Sequence, residues 1–485
     1  MTSDAPSVSA DPSFRSALID VDVPARGRRS SYVVDPVRLL IRNALLLTLE
    51  PDWPGVLDGW LAVALDGRIA GLGPGEAPRS VAAEEELDAR GCFVAPGFVS
   101  AHSHLFTSGL RGIGSDQALY GWGRALAPVL ERLDADDVYW LTLHGSLDLL
   151  ANGVTTAYDF TDPRQPFAVG EDGIPDRSGH LRPQEHLEAQ LVAKLDGGIR
   201  FVNSFHLDQA VGDTTEVVGR ADEFVAFARR LGHRPALSGL ALSGAVQWSD
   251  RPEVATVEVA VMARHKLLNQ AHFLETVEHV ELQRAKFDWY EQAGALGPDL
   301  IFGHFVQATP DIVRRAGAAG CGMCWQPAAN GRLASGFADI RALRDAGLRV
   351  GMGLDDQACT DIADPFQHLR VGLYTQRAAR QRADAMGVEE VLRLHTIDSA
   401  AVLHLESQVG SLGVGKWADL LVVDPSDPDT GPLWDPVATY VLACGLRNLK
   451  RVYVAGELVS IEGRSCHAGA AEVRRRVREQ MARFR

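Results

Sequence analysis

Cysteine is scarce in this chain, with six in 485 residues, and a core of this size needs no covalent staples. Cys321 and Cys324 form a single C-x-x-C pair. No second pair stands at the spacing of a zinc ribbon, and no helix-opening context suits a redox motif. We therefore interpret both thiols as buried core residues of a strand.

The chain also lacks long apolar runs, and its 48 lysines and arginines are outnumbered by 63 acidic residues. No segment reaches the roughly 18 consecutive apolar residues that span a bilayer. The N-terminus, MTSDAPSVSADPSF, lacks the apolar stretch of a signal peptide, which predicts a cytoplasmic protein that does not bind membranes. The net charge of −15 argues against a nucleic-acid binder, because no broad basic face would neutralise phosphates. A small-molecule enzyme fits these limits.

The order of apolar segments predicts a barrel flanked by β-structure from both chain ends. The middle of the chain offers eight apolar strand candidates, most of them separated by amphipathic helices such as 134–153, a pattern that indicates an α/β (β/α)₈ barrel. The strand candidates are CFVAPGFVSAH, GVTTAYDF, IRFVNSFHL, ALSGLALSGA, LNQAHFL, LIFGHF, GCGMCW and LRVGMGLDD. We expect an N-terminal extension (1–35), a composite β-sandwich (36–94 and 406–465), the barrel (95–405) and a C-terminal helix (466–485).

One insertion stands out on the expected catalytic face. Residues 161–182 follow the second strand and are rich in proline, glycine and charge. We interpret the segment as a lid or cavity wall, with an oligomer contact or an inert insertion as the alternatives.

Ligand-competent residues end several of the predicted strands, and in this fold the C-terminal strand ends carry the chemistry. His102 and His104 lie two positions apart, so alternation places both on one face of the first strand. His272, His304 and Asp355 end the fifth, sixth and eighth strands. Imidazoles and a carboxylate suit one divalent ion. We expect Zn²⁺, with iron, manganese or cobalt as alternatives.

The ordered motifs resemble the amidohydrolase superfamily, in its branch of deaminases and triazine hydrolases that includes cytosine deaminase-like and S-adenosylhomocysteine deaminase-like enzymes. The resemblance covers roughly residues 36–465. It is carried by PGFVSAHSHLFTSGLRG at 96–112, GVTTAYD at 153–159, HFLE at 272–275, GHF at 303–305, NGRLASG at 330–336, GMGLDD at 351–356 and GSLGVGKWADLLVVD at 410–424.

The resemblance implies a role for each matched residue. The metal ligands would be His102, His104, His272 and Asp355. Glu275 would shuttle protons, and His304 would polarise the attacking water or the substrate, or else be another ligand. Asp355 would also act as a base. Asp356 stands where the family usually has glycine.

The fourth strand offers neither the lysine nor the glutamate that bridges two ions in dinuclear relatives, so one ion is expected. Lys194 and Lys266 lie in predicted helices, and we interpret them as surface charges. The resemblance also implies a homo-oligomer, a dimer or a tetramer.

A second set of residues surrounds the predicted strand ends and is expected to contact substrate. Trp325, Gln326 and Pro327 stand where relatives often have His-Cys-Pro or His-Asn-Pro. Aromatic walls with amide side chains suit a flat, nitrogen-rich ring. The predicted substrate-binding residues are Phe106, Arg111, Trp122, His206, Gln307, Trp325, Gln326 and Asn330.

These expectations favour hydrolytic deamination of a purine, pterin, pyrimidine or triazine by metal-activated water, with Glu275, His304 and Asp355 as catalytic residues. The first alternative keeps the site but changes the leaving group to chloride, an alkylamine or a thiol, or opens a cyclic amide. A remote alternative is an inactive barrel that serves as a binding protein.

Overall fold

The computed structural model describes residues 36–53, 55–166, 180–426, 428 and 430–484. The predicted N-terminal extension, 1–35, and most of the predicted lid, 167–179, lie outside the described residues. Among the described helices, none is both long and apolar enough to cross a membrane.

The described strands fall into two sheets. They are β1 (Val37–Leu46), β2 (Leu57–Val63), β3 (Ile69–Pro74), β4 (Ala83–Asp88), β5 (Phe93–Pro96), β6 (Phe98–His104), β7 (Val154–Asp159), β8 (Arg200–Phe205), β9 (Leu237–Gly244), β10 (Leu268–Phe273), β11 (Leu300–His304), β12 (Gly322–Trp325), β13 (Arg349–Met352), β14 (Asp355–Asp356), β15 (Leu420–Val423), β16 (Leu449–Val454), β17 (Glu457–Ile461) and β18 (Arg464–Ser465).

Helices connect most of the strands. They are α1 (Leu119–Leu130), α2 (Ala135–Ala151), α3 (Glu185–Gly197), α4 (Thr214–Arg230), α5 (Glu253–His265), α6 (Val280–Ala285), α7 (Phe287–Gln292), α8 (Pro310–Ala318), α9 (Pro327–Arg332), α10 (Ile340–Asp345), α11 (Pro365–Arg380), α12 (Val388–Leu394), α13 (Ile397–Val402), α14 (Pro436–Leu442) and α15 (Ala470–Met481).

The central sheet is parallel and barrel-like, which confirms the predicted fold of the middle of the chain. Its strands run in the order β13-β12-β11-β10-β9-β8-β7-β6-β14. β13 and β14 are consecutive pieces of chain, and β14 pairs with β6 through Asp355 and Ser103. Between the two pieces, Gly353 passes so close to His102 that a Cβ there would lie 2.7 Å from the His102 amide nitrogen. Only glycine permits this approach beside the first barrel strand.

The second sheet draws its strands from both chain ends, as the apolar flanks predict. Its path is β18-β17-β16-β15-β5-β1-β2-β3, with β4 paired to β1. β15 runs antiparallel to β5, with Leu420 opposite Pro96. The two-layered sandwich form and the domain limits stay predictions.

One strand prediction needs correction, because the run CFVAPGFVSAH is not a single barrel strand. The chain divides at Gly97: β5 joins the second sheet and β6 begins the barrel. The Gly97 amide donates to the Asp419 carbonyl, and a Cβ at Gly97 would lie 2.0 Å from Thr155 Oγ1. The residues on either side of Gly97 are apolar and buried, so periodicity alone does not reveal the break.

A buried ion pair connects the two sheets. Arg200 in β8 donates from Nε and Nη2 to Asp419, at 2.8 and 3.0 Å. Both side chains are almost fully buried, and the guanidinium lies 4.6 Å from the ring centre of Trp417. This bidentate geometry fixes β15 against the barrel wall.

Candidate active site

Three strands, β6, β10 and β14, bring the predicted ligands together at one end of the barrel, beside His304 at the end of β11. The Nε2 atoms of His104 and His102 lie 3.2 Å apart, and His272 Nε2 lies 3.2 Å from His104 Nε2. Asp355 Oδ1 lies 3.4 Å from His102 Nε2 and 3.6 Å from His104 Nε2. Ligand atoms of His102, His272 and His304 also lie within 4.8 Å of one another. The cluster is a potential site for a divalent ion.

The imidazole of His102 is oriented from behind by Gln270, which the sequence analysis did not single out. His102 Nδ1 lies 2.6 Å from Gln270 Oε1, and Gln270 Nε2 donates to the Ala101 carbonyl at 2.9 Å. The amide is thereby fixed with its oxygen towards the ring, so Nδ1 carries the proton and donates. The lone pair of His102 Nε2 is left facing the cluster, as metal ligation requires.

The charge states of the cluster suit a cation. Burial, together with the neighbouring imidazole of His102, lowers the pKa of His104 to about 3. Burial likewise lowers the pKa of His272 well below its usual value. Burial opposes ionisation of Asp355, but the hydrogen bond with His102 and the nearby imidazoles hold its pKa below the usual range. Neutral imidazoles with one carboxylate are a donor set that fits a borderline divalent ion.

Glu275 faces the cluster from just beyond β10. Its carboxylate is 3% exposed, and Oε1 lies 3.5 Å from His304 Nε2. Oε2 is buried and has no hydrogen-bond partner in the described part of the chain. Burial raises the pKa of Glu275 well above its usual value, and Asp355 adds to the effect. A carboxyl group held this close to its neutral form can both accept and deliver a proton.

His304 ends β11 in a left-handed backbone conformation, with φ of 65°. Gln326 Oε1 accepts from its amide at 2.9 Å, and Asn330 Nδ2 lies 2.9 Å from its Nδ1. Because the Asn330 side-chain nitrogen donates to Nδ1, the ring proton of His304 lies on Nε2, which has no hydrogen-bond partner among the described residues. In that tautomer His304 presents an N–H to the site, which favours a polarising role over ligation.

A cavity of about 480 Å³ opens beside the cluster, within the range of sites that enclose small ligands. Phe106, Trp122 and His206, three of the predicted substrate contacts, line it. Its walls also include Tyr120, Trp248, Asp162 and Asp356, which were not among the predicted contacts. Burial and the neighbouring Asp355 raise the pKa of Asp356 to about 7.

The first residues of the insertion (161–182) contribute to this wall. Thr161, Asp162 and Pro163 line the cavity. Arg182, where the described chain has resumed, donates to Asp162 Oδ2 at 2.7 Å and also to the Leu130 carbonyl. Through Arg182, the chain that follows β7 is therefore connected to the end of α1. The part of the predicted lid between them, 167–179, lies outside the described residues.

The other predicted substrate contacts lie away from the cavity lining. Arg111 binds Asp148 at 2.6 Å and the Ser108 carbonyl at 2.6 Å. Gln307 donates to the Ser335 carbonyl, and Trp325 is 2% exposed against Gly372. Gln326 and Asn330 contact His304 instead, so their link to the site runs through that ring.

The interpretation of Lys194 as a surface charge is wrong. Its side chain is fully buried and donates to Asp159 at the end of β7. Asp159 also accepts from the Leu105 amide at 2.9 Å, directly after His104. The pair therefore supports the chain that carries the histidines. Lys266 is exposed, as expected.

A larger open depression, about 870 Å³, lies at the opposite strand ends, around Leu268 and Asp299. Among the described residues, the groups able to hold a metal ion all lie at the other end, near His102. The cavity beside the histidines is therefore the candidate active site.

Known proteins resemble this chain in sequence and in fold. The amidohydrolase family model matches residues 93–459. A 5-methylthioadenosine/S-adenosylhomocysteine deaminase of Syntrophobacter fumaroxidans is 27% identical, over 91% of this chain and 97% of its own. An 8-oxoguanine deaminase of Pseudomonas aeruginosa is 28% identical, over 83% and 89%. The crystal structure of an adenosine deaminase from Xanthomonas campestris with bound zinc has the same fold, with a TM-score of 0.80 at 22% identity over 93% and 99% of the two chains.

Proposed function

Because the chain belongs to the amidohydrolase family, we propose that it is a metal-dependent hydrolase that removes an amino group from a nitrogen heterocycle. The bond that breaks is a carbon–nitrogen bond outside a peptide. The curated relatives are named for 5-methylthioadenosine, S-adenosylhomocysteine and 8-oxoguanine. We therefore place purine-type compounds first, ahead of pterins, pyrimidines and triazines.

One divalent ion, Zn²⁺ first, would be held by His102, His104, His272 and Asp355. The convergence of their ligand atoms supports this assignment. When bound, such an ion lowers the pKa of water towards neutrality. The described fourth strand, β9, carries neither lysine nor glutamate, which supports one ion rather than a bridged pair.

Glu275 would carry the proton through the reaction. It takes a proton from the attacking water as the oxygen–carbon bond forms, and gives it to the departing nitrogen as the carbon–nitrogen bond breaks. His304, held by Asn330, would donate its Nε2 proton to the reacting oxygen. Asp355 would assist as a base towards the water. The aromatic walls at Phe106 and Trp122 would hold the ring in place.

The single observation that carries this proposal is the position of Glu275. Its buried carboxyl lies 3.5 Å from His304 and faces the same cavity as His104, His272 and Asp355. An inactive barrel that merely binds a ligand has no need of a carboxyl group desolvated in this way.

The test is a screen of amino-, chloro- and alkylthio-substituted heterocycles with zinc-loaded protein, measuring ammonia, chloride and thiol release separately. We expect ammonia release that disappears on chelation and returns with Zn²⁺. Turnover with chloride or thiol release and no ammonia would replace deamination by the alternative leaving group. Glu275→Gln should retain zinc and lose turnover, and full activity in that variant would contradict the mechanism.

Three further properties are proposed, the assembly from the family resemblance and the location and the domain division from the sequence pattern. The enzyme would work in the cytoplasm as a homodimer or homotetramer. The second sheet would form a two-layered sandwich domain from the predicted segments 36–94 and 406–465, extended to Pro96 by β5, beside a barrel that begins after Gly97 and ends near residue 405. Light scattering of the purified protein tests the assembly, and a monomer would contradict it.

A further inference from the structure

The cavity has an uneven charge. Of its described lining residues, five carry acidic side chains and only Arg124, which is exposed, carries a permanent positive charge. The acids are Glu131, Asp162, Glu275, Asp355 and Asp356. Glu275 and Asp355 have roles in the proposed reaction, and Glu131 is exposed. Asp162 and Asp356 are buried acids that the reaction does not use.

Asp162 is explained by its neighbours. Arg182 and His186 both contact its Oδ2, at 2.7 and 2.8 Å. Gln190 accepts from its amide at 2.7 Å. The charge of Asp162 is thus neutralised within the fold, where it fixes the cavity wall.

Asp356 has no such compensation. The residue is only 5% exposed, and its Oδ1 accepts from the Ala358 amide at 2.7 Å. Its other donors, the Thr107 hydroxyl and the Cys359 amide, are also uncharged. Within the described ranges no lysine, arginine or histidine forms an ion pair with it. Burying a carboxylate without a cationic partner costs several kcal/mol.

We propose that Asp356 selects the substrate by accepting a hydrogen bond from an amino group or ring N–H on the heterocycle. The role of Asp356 rests on the proposed function, and it narrows the class of heterocycles that the enzyme would accept. The preferred ring carries hydrogen-bond donors beyond its leaving group. It carries no phosphate or carboxylate, because the described lining offers such groups acidic neighbours and no buried arginine or lysine.

The aromatic surroundings support the same assignment. Phe106, Trp122 and Cys359 line the cavity together with Asp356. A flat ring between such walls is desolvated, and a hydrogen bond to the buried carboxyl oxygen of Asp356 is then worth more than in water. A donor that reaches Asp356 should therefore be strongly preferred over a bare C–H edge.

Binding is measured without turnover, in zinc-loaded Glu275→Gln protein, by calorimetry. The probes are three pairs that differ only in amino groups: diaminopurine and purine, diaminopyrimidine and pyrimidine, melamine and triazine. We expect the amino member of at least one pair to bind at least about ten-fold more tightly than its partner. Adding Asp356→Asn should abolish most of that difference and leave the zinc content unchanged.

Asp364→Asn is the matched control. It makes the same chemical change eight residues further along, at the N-cap of α11, where asparagine caps as well as aspartate. Asp364 does not line the cavity, so the preference for amino groups should persist in this variant. A preference that vanishes equally in both variants would overturn the assignment.

Phosphate discrimination is the second readout, with adenosine and adenosine monophosphate as probes. The monophosphate should bind at least about ten-fold more weakly than adenosine, or not at all. Equal binding, no binding by any amino probe, or loss of zinc in Asp356→Asn would each overturn the proposal. If the preference for amino groups depends on Asp356 but no heterocycle releases ammonia, the proposed function fails and this inference stands. If the protein releases ammonia but Asp356→Asn keeps the same preference, this inference fails and the proposed function stands.

Discussion

Replacing Gln270 by leucine tests how the protein prepares His102 for an ion. Gln270→Leu removes the acceptor that lies 2.6 Å from His102 Nδ1 and the donor to the Ala101 carbonyl. The imidazole then has no partner that fixes its tautomer or its angle. Losing such an orienting contact lowers metal affinity by about 10- to 100-fold, or about 1.4 to 2.7 kcal/mol.

The assay is competition for Zn²⁺ against a chelator of known affinity, with thermal unfolding in parallel. Gln376→Leu is the matched control, because Gln376 is also a buried glutamine, bonded to the backbone of Ala338 and Ile340. Each variant leaves buried groups unpaired, so each should lose about 1–3 kcal/mol of stability. Only Gln270→Leu should weaken zinc binding. Equal zinc affinities in the two variants would refute the argument that Gln270 prepares the ligand.

Three other substitutions separate proton transfer, ring orientation and support. Glu275→Gln should lower kcat by about 10²- to 10⁴-fold with zinc content unchanged, measured by ammonia release and metal analysis; zinc loss would instead make Glu275 a ligand. Asn330→Leu should lower kcat more than it raises KM, because the amide holds His304 and does not line the cavity; an effect on KM alone would restore Asn330 as a substrate contact. Lys194→Met should cost about 3–5 kcal/mol in urea unfolding, since it leaves Asp159 buried and unpaired. Adding Asp159→Asn should recover part of that loss, and no recovery would contradict the pairing.

The ligand set could be predicted because strand geometry is strongly periodic. His102 and His104 share a face by alternation, and the other ligands end strands whose carboxyl ends meet at one rim. Gln270 carried the same signal, since it lies two positions before His272 in β10 and so faces the same side. An amide at that position predicts a partner for a ligand, and the sequence could have shown it.

Side chains that follow the strand ends were harder to place, since helix and loop packing decides where they point. Arg111 stands near the first strand but turns to Asp148 on α2. Lys194 lies on a helix with charged neighbours, yet its side chain points inward to Asp159. The division at Gly97 is hidden for another reason, because both sheets demand apolar residues on either side of it.

Backbone strain concentrates where the site needs it. Leu274, His304, Phe305 and Asp355 all have φ between 52° and 66°, a conformation that costs residues other than glycine about 1–3 kcal/mol each. Leu274 follows β10, His304 and Phe305 lie at the end of β11, and Asp355 begins β14, so all four surround the cluster. The strain turns the chain so that His304 and Asp355 face inward, while the Leu274 amide is held by Gln247 at 2.7 Å. Glycine at His304 or Asp355 would remove the backbone strain, but glycine has no side chain that could bind an ion or transfer a proton. The fold therefore gives up stability at the strand ends where the reactive side chains have to meet, and the largely buried strands that precede them compensate for this cost.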